Sequence, residues 1–362
     1  MKKTICLIGN YSKGEEVFDG QRCKVRVYYD ALVNEGFNVF LIDLKDVTRK
    51  PFRTFLQIKK GINLSDIIVL ITAHRGIKLL LPFVNYVNRK YHKRFLLPLV
   101  GISVLHNTLD KLTENQVIDF VLNRNYSLKK PSKRLIKNLK KVDVIMPETD
   151  IICDIFRNYY GLNNICKLTN FRKDIFVSRK PKDNSVVFIS RLTEEKGIMD
   201  LLSVFQNVID WKLDIFGHMD LSDKNKEQFD YIVSNSQNIK YFGEIKPDEV
   251  INKLSEYQLL VFPTRYIGEG TPGVISESFM AGTPVLSSSF LMSQELLNNG
   301  VDSLVFQMFD LEDFKSKLLF LLNNKKILIS MSDKAKESGL KFQYSFNRKR
   351  FLQIINGLET LQ

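Results

Sequence analysis

The strongest constraint on the fold is a pattern that occurs twice: a short apolar run, a polar loop carrying glycine, an amphipathic helical stretch and a second apolar run. Its first copy comprises residues 4–9 (TICLIG), a loop to about Gly20, helical spacing through Ala31, and FNVFLIDL at 37–44. Within the helical stretch Val25, Tyr28, Leu32 and Val33 recur on one face, and Gly36 stands where a C-terminal cap belongs. Apolar runs at 67–72, 99–104 and 142–146 predict further strands, and their alternation with helical segments is the order that builds a parallel sheet. The pattern restarts at 185–190 (SVVFIS), followed by RLTEEKG, a helix over about 197–208 and LDIFG at 213–217. KYFG at 240–243, a helix opened by Pro247, LLVFP at 259–263 and the segment EGTPGVISESFMAGTPVLS complete it.

Two such sheets need two cores, and 362 residues suffice for both. The expected fold class is α/β, with two Rossmann-like doubly wound parallel-sheet domains facing across a cleft. The expected boundaries are 1–170, then 171–340, then a C-terminal helix, 341–362, packing back toward the N-terminal domain; residues 167–184, polar and punctuated by Pro181, read as the linker. The opening apolar run is cut off by Gly9, Asn10 and Lys13, too early for a signal or a membrane span, so it reads as a buried strand. Cys6, Cys23, Cys153 and Cys166 form no CxxC pair, which excludes the usual zinc and disulfide frameworks and fits a reducing cytoplasm.

The formal charge of +13 is unevenly divided. Residues 1–170 hold 29 Lys and Arg against 15 Asp and Glu, whereas residues 171–362 hold 24 against 25. The whole excess is N-terminal and points to an anionic partner for that half: a lipid surface, a nucleic acid or a phosphorylated acceptor. In 128–141 (LKKPSKRLIKNLKK), Lys130, Arg134, Lys137 and Lys141 fall near one helix face with Leu135 and Leu139 interleaved, and NRKYHKRF at 88–95 is a second basic patch. Interfacial helices have this composition, although a solvated charged face has it too.

EGTPGVISE carries the clearest chemistry. Glu269 precedes a glycine-punctuated turn and Glu277 lies one turn inside a helix that starts near Gly273. Such a helix start presents free N–H groups and a positive dipole end, which suit a diphosphate, while carboxylates accept from sugar hydroxyls. Taken singly, each glutamate reads as a surface residue; together, after a strand ending in LLVFPT, they belong at the carboxyl edge of a parallel sheet, where α/β folds bind ligands. Arg191 and Lys196 in RLTEEKG occupy the equivalent turn after SVVFIS and can neutralise a leaving diphosphate, or else belong to a solvated mixed-charge turn with Glu194 and Glu195.

The succession ISRLTEEKG, LDIFG, KYFG and EGTPGVISESFMAGTPV resembles the retaining GT-B glycosyltransferases of family GT4, most closely over residues 185–290. The resemblance implies that Arg191 and Lys196 hold the donor diphosphate, that Glu269 contacts the transferred sugar, that Glu277 binds the ribose, and that the KYFG segment with Phe242 passes close to the nucleotide base. Where many members carry Phe-Gly-Leu, this chain has Thr271, Pro272 and Gly273; proline offers no N–H, so phosphate contacts fall to Gly273 and Val274. Gly20 and Gln21 stand at the family's N-terminal glycine turn, whose helix would face the donor phosphates. The spelling DGQ followed by Lys24 and Arg26 is similar to capsule and surface-polysaccharide members. The family's catalytic-site histidine has its nearest candidate in His106 and a second in His74; a histidine at a strand end is equally a structural residue.

The expected activity is therefore transfer of a sugar from a nucleotide diphosphate donor to a lipid-linked or surface-polysaccharide acceptor, with retention, on the inner face of the cell membrane. No Asp-x-Asp motif is present, so no metal and no cofactor are expected, protein cations taking the counter-charge role. A GT-B epimerase or phosphorylase shares the architecture. Nucleic acid is not an expected partner, since no RNA or DNA module and no aromatic platform accompanies the basic runs.

Overall fold

The computed structural model describes residues 2–14, 19–102, 104, 113–123 and 131–359. The chain divides into two compact units. The first contains five parallel strands, β1 (Thr4–Gly9), β2 (Asn38–Asp43), β3 (Ile67–Ile71), β4 (Arg94–Pro98) and β5 (Val144–Met146), ordered β2-β1-β3-β4-β5. Its helices are α1 (Gly20–Asn34), α2 (Pro51–Leu64), α3 (His74–Tyr91), α5 (Lys133–Leu139) and α6 (Asp150–Asn158), with α4 (Glu114–Asn123) lying between α3 and α5 in sequence.

The second unit has six parallel strands: β6 (Ser185–Ile189), β7 (Lys212–Phe216), β8 (Ile239–Tyr241), β9 (Leu259–Phe262), β10 (Val285–Ser288) and β11 (Ser303–Phe306). Around them are α7 (Ile198–Phe205), α8 (Asp223–Asn235), α9 (Val250–Leu254), α10 (Gly273–Ala281), α11 (Ser293–Leu296), α12 (Leu311–Asn323) and α13 (Lys325–Gly339). The chain closes with α14 (Tyr344–Asn356). The sheet order β8-β7-β6-β9-β10-β11 reverses direction between β6 and β9, and that reversal opens a crevice at the carboxyl ends of those two strands.

Most expected strands lie where the apolar runs are, because strands covered on both faces read as unbroken hydrophobic stretches. The exception is the run at 99–104. Here the strand is Arg94–Pro98, one segment earlier: Gly101 at φ +52 ends the extended backbone, and β4 pairs β3 and β5 through Arg94 to Pro98 instead. The helix expected over 197–208 begins with a separate turn, Glu194–Lys196, and runs only over Ile198–Phe205.

The units are not two contiguous halves. The first is Met1–Lys111, Tyr126–Lys173 and Tyr344–Gln362; the second is Leu112–Asn125 and Asp174–Gln343. Thus α4, expected within 1–170, groups with the second unit, where Glu114 lies 3.7 Å from Arg265. The last helix enters the first core: Phe351 packs edge-on against Tyr28 and Phe171, with ring centroids 5.6 Å from each, while Glu35 accepts from Arg348 at 2.6 Å and from Tyr344 at 2.9 Å. Among the described residues no helix is long and apolar enough to cross a membrane.

Candidate functional site

The crevice between β6 and β9 is assembled by two loops. The first, after β6, makes a single 3-10 turn at Glu194–Lys196 and closes with Gly197 at φ +72. A side chain there would put its Cβ 1.9 Å from the Pro263 carbonyl, so only glycine lets this turn sit on the end of β9. The second loop, after β9, is laced to the first by Arg265 N–H donating to the Glu195 carbonyl at 2.7 Å. The result is that Lys196 and Glu269, 73 residues apart, form a direct ion pair.

The pair is sheltered. Glu269 is buried and also accepts from the Thr264 hydroxyl at 3.1 Å. Lys196 Nζ lies 5.3 Å from the ring centre of Tyr266 and 5.7 Å from that of Phe262, so aromatic faces supplement the carboxylate in holding the cation. Thr264 is itself fully buried, its carbonyl accepting from Ser288 Oγ at 2.5 Å. It escaped notice in the sequence; its signal was only its place beside Pro263 at the end of an apolar run.

Beyond Glu269 the chain reaches Pro272 and enters α10. The proline fixes the entry, no side chain caps the helix, and the N–H groups of Gly273 and Val274 donate to nothing among the described residues. An uncapped helix start aimed out of a parallel sheet's carboxyl edge is an anion site by geometry and dipole together. Glu277, half-buried, lies in the second turn. The helix ends at Gly282, φ +73, with Pro284 following.

Arg191 is exposed, and its side chain has no hydrogen bond or ion pair among the described residues. Its neighbour Glu194 is more than a solvated charge. It accepts from Ser222 N–H at 3.1 Å, Ser222 Oγ at 2.7 Å and Asn225 Nδ2 at 2.8 Å, tying the turn to the start of α8. These hydrogen bonds, from Asn225 first and then Ser222, hold its carboxyl down at about 2. A depressed carboxyl stabilises the fold above its ordinary value of 4.5, and that contribution is lost as pH falls toward 2. Glu194→Gln is therefore expected to flatten the acid limb of the second unit's unfolding below pH 4.5, measured by circular dichroism; an unchanged limb would reject the tie.

On the other side of β6, Phe242 is 54% exposed and stacks on Phe216 with ring centroids 5.1 Å apart and planes 13° from parallel. This leaves one flat aromatic face open beside the ends of β7 and β8. His218 Nδ1 and Glu244 lie 2.6 Å apart just beyond it.

The remaining candidates belong to the first unit. Gly20 opens α1 and is exposed; Gln21 is half-buried. Asp19 caps that helix, accepting from Arg22 N–H at 2.9 Å, and Asp43 accepts from the N–H groups of Tyr11, Ser12 and Lys13 at 3.0 to 3.1 Å. The Arg22 N–H of the first turn of α1 is thus already met by a carboxylate of the chain's own. His74 opens α3, and His106 lies outside the described residues. Among the described residues no cluster of three His, Cys, Asp or Glu could hold a metal ion.

Residues 170–338 match the family described as Glycosyl transferases group 1. An uncharacterized glycosyltransferase of Methanocaldococcus jannaschii is 26% identical over 161 residues, a match spanning 44% of either chain. Sucrose-phosphate synthase from Thermosynechococcus elongatus superposes with a TM-score of 0.70 at 14% identity, covering 99% of both chains. HepE of Anabaena, solved in complex with UDP-glucose, superposes with a TM-score of 0.72 at 10% identity, over 98% of this chain and all of that one. The family match thus covers most of the second unit, and the likeness to these neighbours shows the fold, two parallel-sheet α/β domains of the GT-B kind.

Proposed function

We infer that the second unit binds a nucleoside diphosphate sugar and that the chain transfers its sugar, with retention, to a lipid-linked glycan at a membrane surface. The observation that carries this reading is the Lys196–Glu269 pair set at the β6/β9 reversal beside the uncapped start of α10. That the neighbouring HepE was solved with UDP-glucose supports a nucleotide-sugar donor. Lys196 keeps two N–H donors for the diphosphate after meeting Glu269, Arg191 adds a mobile second cation, and the N–H groups of Gly273 and Val274 complete the cradle. When the bond between the anomeric carbon and the phosphate oxygen breaks, its electron pair stays on the diphosphate, and these fixed donors and cations stabilise the charge that develops. Phe242 offers its open face to the base, Glu277 accepts from the ribose, and Glu269 accepts from the sugar hydroxyls. His106 is the proposed first-unit residue at the reacting centre.

The direct test is a thermal-shift screen across UDP- and GDP-sugars. A donor at 100 times its Kd stabilises by ~2.7 kcal/mol, a rise of roughly 5–10 °C for a unit of this size. If no nucleotide sugar raises the melting temperature, the reading fails. Glu277→Ala, which removes one charge-assisted acceptor, is expected to weaken donor binding by ~1.5–3 kcal/mol with little change in folding. Because protein cations fill the counter-charge role, transfer is expected to persist in EDTA; activity abolished by chelation and restored by Mg2+ would reverse that part of the proposal.

A further inference from the structure

One face of the first unit's sheet is covered by α2, α3 and α5. Phe55 of α2 meets Phe83 of α3 at 4.5 Å between ring centroids, and Asn85 of α3 donates to the Asn138 carbonyl of α5 at 2.9 Å, so the three helices form one continuous layer. Their inward residues, among them Ile58, Ile62, Leu81 and Val84, are buried against the sheet. Their outward side is unusual in two respects. Together α2, α3 and α5 carry ten Lys and Arg and not one Asp or Glu. They also present large apolar side chains to solvent at helical spacing: Phe52 and Leu56, 86% and 64% exposed, one turn apart on α2, and Leu79 and Tyr86, 57% and 72% exposed, two turns apart on α3.

Isolated exposed leucines are ordinary, but four large apolar residues on adjoining helices, set among cations with no carboxylate, are not a surface shaped for water alone. A polyanion such as RNA would use the cations and stack bases on the two rings, but it would leave Leu56 and Leu79 unmatched. An anionic bilayer uses both, acyl chains taking the apolar tips and headgroups the ammonium and guanidinium groups. Past the end of α3 lies a concavity of about 650 Å³ lined by Arg89, His92, Lys93, Arg94 and Lys141 together with Asp143; Arg94 is already paired with Glu359, so Arg89, Lys93 and Lys141 extend the basic face.

We propose that the outward face of α2 and α3, with Phe52, Leu56, Leu79 and Tyr86 as the inserting residues, docks the chain on an anionic membrane. This gives the membrane-bound acceptor of the proposed function its point of attachment, and it rests on that reading for its purpose but not for its test. Of the basic stretch at 128–141, Lys130 lies outside the described residues; residues 131–141, including α5, are then a flank of the face that contributes charge without apolar anchors.

The test is co-sedimentation of the full chain with vesicles of phosphatidylglycerol and phosphatidylcholine, and with pure phosphatidylcholine. Wild type is expected to sediment with the mixed vesicles and only weakly with the neutral ones. Phe52→Ser, Leu56→Ser, Leu79→Ser and Tyr86→Ser combined, all at exposed positions, are expected to lower the partition coefficient at least tenfold at unchanged melting temperature. Ile209→Ser with Tyr231→Ser, which removes two exposed apolar residues of the second unit, is expected to change nothing. Phe52→Trp gives an independent reading, since Trp211 is buried and contributes a constant background: its emission should shift to the blue with mixed vesicles. Equal sedimentation of the fourfold variant and wild type would overturn the proposal, as would retardation of RNA without vesicle binding. Donor thermal shifts on the same proteins separate the two ideas: vesicle binding without any donor shift sinks the transfer reading alone, and a donor shift without vesicle binding sinks the docking face alone.

Discussion

Lys196→Ala is expected to lower kcat/KM by about 100- to 1,000-fold, equivalent to ~2.7–4 kcal/mol of lost charge stabilisation at the departing diphosphate. It should also weaken the fold, because it strands a carboxylate. The two side chains are only 14% and 8% exposed, and breaking a buried pair by removing one partner costs ~3–5 kcal/mol. The Thr264 hydroxyl would be left as the donor to Glu269. Glu269→Gln bears on the two effects differently, since it keeps the shape and an acceptor for Thr264 and Lys196 while removing the counter-charge; it should destabilise less than Lys196→Ala and still transfer poorly. Lys196→Arg retains the charge, but its planar, bulkier head does not fit between Tyr266 and the carboxylate, so only partial activity is expected. Arg191→Ala should cost far less, because that side chain is exposed and its charge is screened. Near-normal kcat/KM and melting temperature for Lys196→Ala would reduce the pair to an incidental contact.

Gly197→Ala is expected to destabilise the second unit strongly. The added carbon would stand 1.9 Å from the Pro263 carbonyl oxygen at φ +72, so neither rotation nor a flexible neighbour relieves the clash. Left-handed backbone costs ~1–2 kcal/mol for an L-residue, and overpacking against rigid backbone adds ~1–3. A total near 2–5 kcal/mol corresponds to a fall of roughly 5–15 °C in melting temperature for a domain of this size. Gly243 supplies the comparison: its φ is +76, but nothing lies within 4 Å of the position a Cβ would take. Gly243→Ala should therefore show only the conformational part. If the two substitutions destabilised equally, the close approach of the β6 turn to the end of β9 would not be what demands glycine.

The sequence made the carboxyl-edge positions of Lys196, Glu269 and Glu277 legible because glycine and proline punctuate the chain at the same points where strands end. It could not show that Lys196 and Glu269 meet each other, since nothing local links residues 73 apart, nor that Thr264 supports the carboxylate. The strand at 94–98 was displaced in the sequence reading because RFLLP and the run after it are equally apolar; only pairing with β3 and β5 distinguishes them. Phe52 and Leu56 were hidden for a related reason. On α2 they look no different in sequence from Phe55 and Ile58, and which of them face water depends on how the helix lies on its sheet. A charge run announces itself, whereas an exposed apolar face is visible only once the core is known.

Phe351, Ile354 and Ile355 are core residues of the first unit although they are made after the whole of the second. On the ribosome the second unit is complete once Gln343 emerges, whereas the first must wait, its nascent core open, for the segment beginning at Tyr344. Synthesis order and folding order are thus reversed. The half made first finishes second, and for the time needed to translate some 170 intervening residues it presents unfilled apolar surface around Tyr28 and Phe171 to whatever chaperones attend the nascent chain.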